Sequence, residues 1–148
     1  MVSVFQFSNP VLTKLNFVIN DDFDSSIERK LVVNVEFKTD IEVFEKEQTA
    51  LVILHCKLGE KSDQFPFYIE ADEQANYRWG YDDDGNMVDN PIQDPKTLKS
   101  LLNINAPTLL LSYLRPIIAQ ITSASPFDTY NIPYMDFSKG VNPEEQSL

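Results

Sequence analysis

The only histidine and the only cysteine of this 148-residue chain are neighbours, His55 and Cys56. A thiol beside an imidazole base is a pairing that nucleophilic catalysis uses. Here both residues lie in a run of alternating side chains that predicts a β-strand, and neighbouring residues of a strand point to opposite faces of the sheet. The two side chains are therefore predicted to be a buried or half-buried structural pair. We expect no catalytic residue and no enzyme activity.

An acidic turn partly matches a calcium-binding loop. With Asp82 as the first ligand, Asp84 and Asn86 occupy the third and fifth ligand positions. However, Met87 stands where that loop requires glycine, and Gln93 stands where it requires a bidentate glutamate. The pattern therefore favours a solvated turn. Because the sequence also has no phosphate-binding glycine loop and no zinc-binding set, we expect no metal and no cofactor.

The charge of the chain limits its partners. Asp and Glu total 23 and Lys and Arg total 12, which gives a net charge of −11. Nucleic acids and anionic membranes bind clustered cations, so neither is an expected partner. The run Tyr77-Arg78-Trp79 is of a kind that grips a stacked ligand, although such a tryptophan more often belongs to the core or its rim. Any two of the 23 carboxylates can meet in space as an acid–base pair, and the sequence points to no particular pair.

Length and composition fit one globular domain that spans residues 1–148. A single cysteine excludes an internal disulfide and is consistent with a reducing compartment. The first ten residues do not resemble a signal peptide, and no apolar run approaches the roughly 20 residues of a membrane-spanning helix. We therefore expect a cytoplasmic protein without membrane insertion. The polar residues 138–148 are expected to form a disordered tail.

The distribution of apolar residues predicts an α+β fold with a four-stranded antiparallel sheet. Residues 49–58 are apolar on both faces, so this third strand should be central. Pro66 suggests that the fourth strand lies at an edge or begins there. Residues 73–94 are turn-rich and are expected to form a loop. The four predicted strands comprise residues 2–20 with an interruption at Asn9-Pro10, residues from Leu31 to Lys38, residues 49–58 and residues 65–72.

A helical period follows the strands. Asp94-Pro95 is typical of a capped helix start, and this first helix should end near Asn103. A longer helix is predicted for residues 108–123, with a kink at Pro116. Its apolar surface is wider than the stripe of an ordinary surface helix, so we infer that a second subunit covers part of it. The residues expected in the core or in this subunit contact are Leu110, Leu114, Ile117 and Ile121.

The run from Ala106 to Arg115, Ala-Pro-Thr-Leu-Leu-Leu-Ser-Tyr-Leu-Arg, resembles a segment of SecB, the bacterial export chaperone. The positions that match are Pro107, Leu110, Tyr113 and Arg115. Residues 131–137 look like the Leu-x-Pro-Val-Asn-Phe step of that family, and the resemblance spans roughly residues 4–137. It implies a four-stranded antiparallel sheet with a long helix, dimers that pair into tetramers, and apolar grooves that bind unfolded polypeptides without nucleotide or metal.

Two departures from the SecB pattern affect its implications. SecB has a second helix after this step, whereas here Phe137 is followed by a short polar end. SecB also presents acidic residues to the translocation motor SecA, and the corresponding positions here, near Leu15, Val18 and Tyr68, are not acidic. We therefore do not expect docking to SecA.

The leading hypothesis is an ATP-independent chaperone that binds unfolded or extended polypeptide in an apolar groove. The predicted client-binding residues lie on the second strand and on the segment after the long helix: Val33, Val35, Phe37, Phe127, Tyr130, Ile132 and Tyr134. Val33 and Val35 also fit a core position. One alternative is an interaction module dedicated to one partner, such as an antitoxin. Another is a small-ligand protein or enzyme, which requires a closed pocket with convergent polar groups and carboxylates of perturbed pKa. A deep pocket ringed by Tyr77, Trp79 and paired acids would favour it.

Overall fold

The computed structural model describes residues 5–26, 33–62, 64–88 and 94–139. The predicted strand residue Leu31 and tail residues 140–148 lie outside these ranges, while the predicted tail residues Ser138 and Lys139 belong to a 3₁₀ turn. The strands are β1 (Phe5–Phe7), β2 (Val11–Ile19), β3 (Val35–Phe44), β4 (Thr49–Gly59) and β5 (Phe67–Trp79). The helices are α1 (Pro95–Ser100) and α2 (Ala106–Ser123), with a π-helical turn (Leu101–Asn105) between them and the 3₁₀ turn (Phe137–Lys139) after them.

The sheet is antiparallel and contains five strands, so the prediction of four is wrong. The strand order is β1-β5-β4-β3, and β2 also pairs with β5. The extra strand arises because residues 8–10 interrupt the first segment, where Pro10 cannot donate to a ladder. Ser8 still hydrogen-bonds to Asn76 of β5, so the chain continues along the same edge. The architecture is therefore four strands wide, with a divided edge.

The prediction that β4 is central is confirmed, since it lies between β3 and β5. The strand β5 is also internal, so Pro66 marks a strand start and the edge alternative is wrong. Further, β5 continues to Trp79, where the sequence favoured a loop from Glu73 onward. The reason is that β5 has a pairing partner on each side along this length, and its inward residues Ala75, Tyr77 and Trp79 are buried.

The helical region begins as predicted. The Asp94 side chain accepts a hydrogen bond from the backbone N–H of Lys96, which caps α1. The helix does not end near Asn103, because the π-helical turn carries the chain directly into α2. Pro107 lies in the first turn of α2, where a missing N–H has no cost, and Pro116 lies in its interior. The kink at Pro116 stays a prediction.

One helix is too narrow to cover this sheet. A helix is about 10 Å wide and strands are about 4.8 Å apart, so one helix covers about two strands. Accordingly, α2 lies across β4 and β5, and its own residues Leu110, Leu111 and Leu114 are buried. The chain after α2, residues 124–136, then returns toward β3, and the Phe137 ring lies 5.9 Å from the Phe37 ring. We call residues 124–136 the closing segment.

Candidate functional site

The closing segment is extended and is fixed to α2 by polar contacts. The Nε of Arg115 donates a hydrogen bond of 2.7 Å to the carbonyl oxygen of Ile132. Its guanidinium lies over the Tyr134 ring, 3.9 Å from the ring centroid. Two helical turns further on, Thr122 Oγ1 accepts a hydrogen bond of 2.9 Å from the backbone N–H of Tyr130. Arg115 and Thr122 therefore fix the irregular closing segment to α2.

The structure places six of the seven predicted client-binding residues together, along the side of the core that the closing segment covers. Phe37 and Ile132 are buried within the core. The other four pack against it while partly exposed: Val33, Val35, Phe127 and Tyr130. Tyr134 differs, because 73% of its surface is exposed. Of the seven residues, only Tyr134 is largely exposed. The closing segment lies where the apolar groove was predicted.

The four residues predicted for the core or a subunit contact divide into two pairs. Leu110 and Leu114 have no exposed surface, because they face the sheet, so they fill the core of the single chain. Ile117 and Ile121 lie one step round the helix and are partly exposed. Ile117 and Ile121 therefore keep apolar surface that the single chain does not cover, and their role in a subunit contact stays a prediction.

An apolar ledge remains uncovered at the other edge of the sheet. Its members are Phe7 of β1, Leu15 and Ile19 of β2, and Tyr113 of α2. Phe7, Leu15 and Tyr113 are 46%, 37% and 41% exposed. None of these residues was among the predicted client-binding residues. Their signal was the period-two pattern of the first strand, combined with the limited width of one helix.

The ledge is continuous with the closing segment through a row of aromatic rings. Phe17, between Leu15 and Ile19 on the same face of β2, lies 6.1 Å from the ring of Phe67. The Phe67 ring in turn lies 6.2 Å from that of Tyr130. At the other end of the ledge, the Phe7 ring lies 6.2 Å from Tyr77. These contacts connect the ledge to the closing segment through the buried rings of Phe67 and Tyr77 on the helix side of the sheet.

The outer face of the sheet is polar and carries the histidine. His55 Nδ1 lies 2.7 Å from Asp72 Oδ1, and His55 Nε2 lies 2.7 Å from Asp40 Oδ2. Cys56 points into the core, so the predicted separation of the two side chains is confirmed. Burial raises the pKa of the Cys56 thiol to about 12, which keeps it protonated and unreactive. The imidazole is thus used to connect three neighbouring strands.

A second cluster on this face joins β2 to β5. Glu70 accepts a hydrogen bond from the Tyr68 hydroxyl and forms an ion pair of 2.9 Å with Lys14. The Tyr68 hydrogen bond, with a further contribution from Lys14, lowers the pKa of Glu70 to about 2. An open depression of about 400 Å³ lies among these charged side chains. It is not the closed pocket near Tyr77 and Trp79 that a small-ligand protein requires, since it lies on the opposite face.

The acidic turn forms a tight hairpin loop. Asp82 Oδ1 accepts hydrogen bonds from the backbone N–H groups of Asp84 and Asn86, at 3.0 and 2.9 Å. The carboxylate of the proposed first calcium ligand therefore caps its own turn. Within residues 5–26, 33–62, 64–88 and 94–139, no group of three or more metal-binding side chains converges. None of the helices in that part of the chain has the length and apolar character to cross a membrane.

Comparison with known proteins gives a match at the level of structure. No protein-family model matches the sequence, and no curated protein matches it. The SecB-like chaperone Rv1957 of Mycobacterium tuberculosis, solved in complex with a ChAD peptide from the Rv1956 HigA1 antitoxin, is similar in structure with a TM-score of 0.66. The two chains are 12% identical over 88% of this chain and 90% of the other.

A protein of unknown function from Streptococcus agalactiae also matches, with a TM-score of 0.43, 11% identity, and coverage of 88% of this chain and 97% of the other.

The match to the SecB-like chaperone supports the sequence-based resemblance to SecB. The shared architecture is an antiparallel sheet with one long helix near the end of the chain. The chain has a SecB-like fold and is a divergent example of it.

Proposed function

We propose that this protein is an ATP-independent chaperone that binds an unfolded or extended polypeptide on the helix side of its sheet. The observation that carries this proposal is the uncovered ledge of Phe7, Leu15, Ile19 and Tyr113, which is continuous with the extended closing segment. An exposed apolar surface of this kind is typical of a binding site for apolar polypeptide. A related fold that holds a peptide in a solved complex supports the same reading.

The client site includes the residues predicted from sequence. A client on the ledge lies beside Phe17, whose ring contacts the buried Phe67, and Phe67 in turn contacts Tyr130. Phe37 and Ile132 are buried, so contact with them requires movement of Phe137 and of the closing segment. Tyr134 and Phe127 remain partly exposed and offer the first contacts on that side. Val33 and Val35 are likewise partly exposed, at the start of β3.

The range of clients distinguishes two forms of this proposal. A general chaperone binds many unrelated unfolded chains, whereas a dedicated interaction module binds one partner. The similar SecB-like protein was solved with a peptide from an antitoxin. A dedicated client of antitoxin type is therefore the second candidate for this chain. Both forms predict a protein without a nucleotide or metal cofactor.

Self-association belongs to the same proposal. Ile117 and Ile121 are partly exposed apolar residues of α2, beside the residues that face the sheet. A second copy of the chain that packs on this side gives a dimer, or a dimer of dimers. We propose a cytoplasmic homo-oligomer with its polypeptide site on the remaining apolar surface.

The proposed function is tested by fluorescence anisotropy with one labelled polypeptide, measured once unfolded and once folded. A second, unrelated chain is treated in the same way. Saturable binding of both unfolded chains, with no binding of the folded forms, is the result that a general chaperone predicts. Binding of a single partner segment indicates a dedicated module. Absence of binding to any unfolded chain at about 10 μM contradicts the chaperone proposal.

A further inference from the structure

We propose that a depression beside Arg78, at the divided edge of the sheet, is a binding site for an oxyanion, either a carboxylate or a phosphate group. The depression has a volume of about 370 Å³. It lies at the end of β1, where residues 8–10 separate β1 from β2 along the edge of β5. Its lining is Gln6, Phe7, Ser8, Thr49, Asn76, Tyr77 and Arg78.

Strand register brings the polar members of this lining together. Arg78 of β5 is paired with Gln6 of β1 on one side and with Thr49 of β4 on the other. Residues paired directly across a sheet point to the same face, so the three side chains form one row on the outer face. Asn76 precedes Arg78 by two positions on that face, and its backbone N–H donates to Ser8 Oγ. Hydroxyl and amide groups thus surround one guanidinium.

The guanidinium of Arg78 is held in place but is not neutralised. Its Nε donates a hydrogen bond of 2.7 Å to Gln6 Oε1. The group also lies over the Tyr81 ring, 5.0 Å from the ring centroid. Among the residues that the structure describes, neither of its two terminal nitrogens has a hydrogen bond or an ion-pair partner. A fixed guanidinium with two free parallel donors is suited to bidentate binding of a carboxylate or a phosphate.

The charge around Arg78 differs from that of the depression beside His55. The chain has a net charge of −11, and the depression beside His55 is lined by four carboxylates, Glu36, Asp40, Glu70 and Asp72, together with Lys14, Lys38 and Lys57. There, Lys14 is paired with Glu70 at 2.9 Å. Among the described residues, no acidic side chain lines the depression beside Arg78. An anion therefore meets one cation and neutral donors here, on a chain that is negatively charged as a whole.

The test is a titration of the whole protein followed by the NMR signals of the arginine side chains. Acetate and inorganic phosphate are the two probes, and sodium chloride keeps the ionic strength constant. We expect a saturable shift of the Arg78 signal with at least one probe. If acetate binds more tightly, the ligand is a carboxylate, and if phosphate binds more tightly, it is a phosphate group.

Variants separate this site from general screening of charge. Arg78→Gln should weaken binding by about tenfold or more, because the charged donors are lost. Thr49→Val, which keeps the guanidinium, should weaken it less, and Lys57→Gln on the same face should leave it unchanged. Circular dichroism checks that each variant is folded. Shifts that do not saturate overturn the proposal. It is also overturned if T49V leaves binding unchanged while K57Q weakens binding as strongly as R78Q does.

Discussion

The guanidinium of Arg115 lies 3.9 Å from the centre of the Tyr134 ring, while its Nε donates to the carbonyl oxygen of Ile132. One helix residue thus holds two points of the closing segment. The segment itself is irregular, so it has no sheet or helix ladder of its own to fix it. Arg115 is therefore a structural connection between α2 and the closing segment, which leads to Phe137 and its contact with Phe37.

Replacement of Arg115 should loosen the closing segment. Arg115→Gln removes the hydrogen bond to Ile132 and the contact with Tyr134, and should lower the free energy of unfolding by about 1–2 kcal/mol. Urea unfolding measures this change. Hydrogen exchange should increase in residues 130–136 more than in β4. Arg115→Lys, which keeps the charge, should give a smaller change, and equal protection of the segment in R115Q contradicts the role of this residue.

Glu73 should make the protein less stable as the pH rises. Its side chain is buried, and among described residues its Oε2 atom has no hydrogen-bond partner. Burial raises the pKa of Glu73, so the folded state holds the proton more tightly than the unfolded state. Stability is then greatest below the unfolded pKa and falls as pH rises through the folded pKa. Glu73→Gln should remove this decline, as measured by urea unfolding between about pH 4 and 8. A decline of equal slope in E73Q contradicts the assignment.

Glu70 should change the stability of the fold with pH in the opposite direction to Glu73. Its pKa is lowered to about 2, mainly by the Tyr68 hydroxyl and then by Lys14, so its ionised form is favoured in the folded state. The resulting stability is present above the unfolded pKa and is lost as pH falls through the folded value. Glu70→Gln should therefore lose less stability than the wild type between about pH 5 and 2, measured by thermal unfolding. If both proteins lose the same amount, the Tyr68 and Lys14 contacts do not stabilise the fold.

The division of α2 into core and contact residues gives a further prediction. Leu114→Ala should destabilise the chain by about 2–5 kcal/mol, because it leaves a cavity in the core. Ile117→Ala should cost about 1 kcal/mol, since only part of this side chain is buried. If a second copy packs on α2, I117A should also lower the mass measured by light scattering at equal concentration. If L114A loses assembly completely while I117A stays assembled, the assignment of Leu114 to the core and Ile117 to the subunit contact is wrong.

The sequence predicted the elements better than their extent. The alternation in β4 identified a central strand because both of its faces carry apolar residues. The second half of β5 was missed because Glu73 faces the core while Gln74 and Asn76 face outward, so the apolar pattern is broken at a buried position. The long helix was recognised, but its junction with α1 was not, since a π-helical turn has no sequence signal of its own.

The candidate sites depend on features that a single sequence does not contain. The contacts of His55 with Asp40 and Asp72 require the register of three strands. The row of Gln6, Arg78 and Thr49 requires the pairing of β5 with both of its neighbours. The ledge exists because one helix is narrower than the sheet, which becomes evident only when the layers are assembled. The resemblance to SecB placed predicted client-binding residues on the closing segment and none at the opposite edge, formed by β1 and β2.

The most direct test of the account compares two substitutions in one strand. Leu15 and Val18 are both partly exposed on β2, at 37% and 44%, but they point to opposite faces of the sheet. Binding of an unfolded labelled polypeptide is measured by anisotropy for the wild type, Leu15→Asn and Val18→Asn. The account predicts that L15N weakens binding by about tenfold while V18N has little effect. Equal affinity of all three proteins, or a loss confined to V18N, contradicts the placement of the polypeptide site on the helix side.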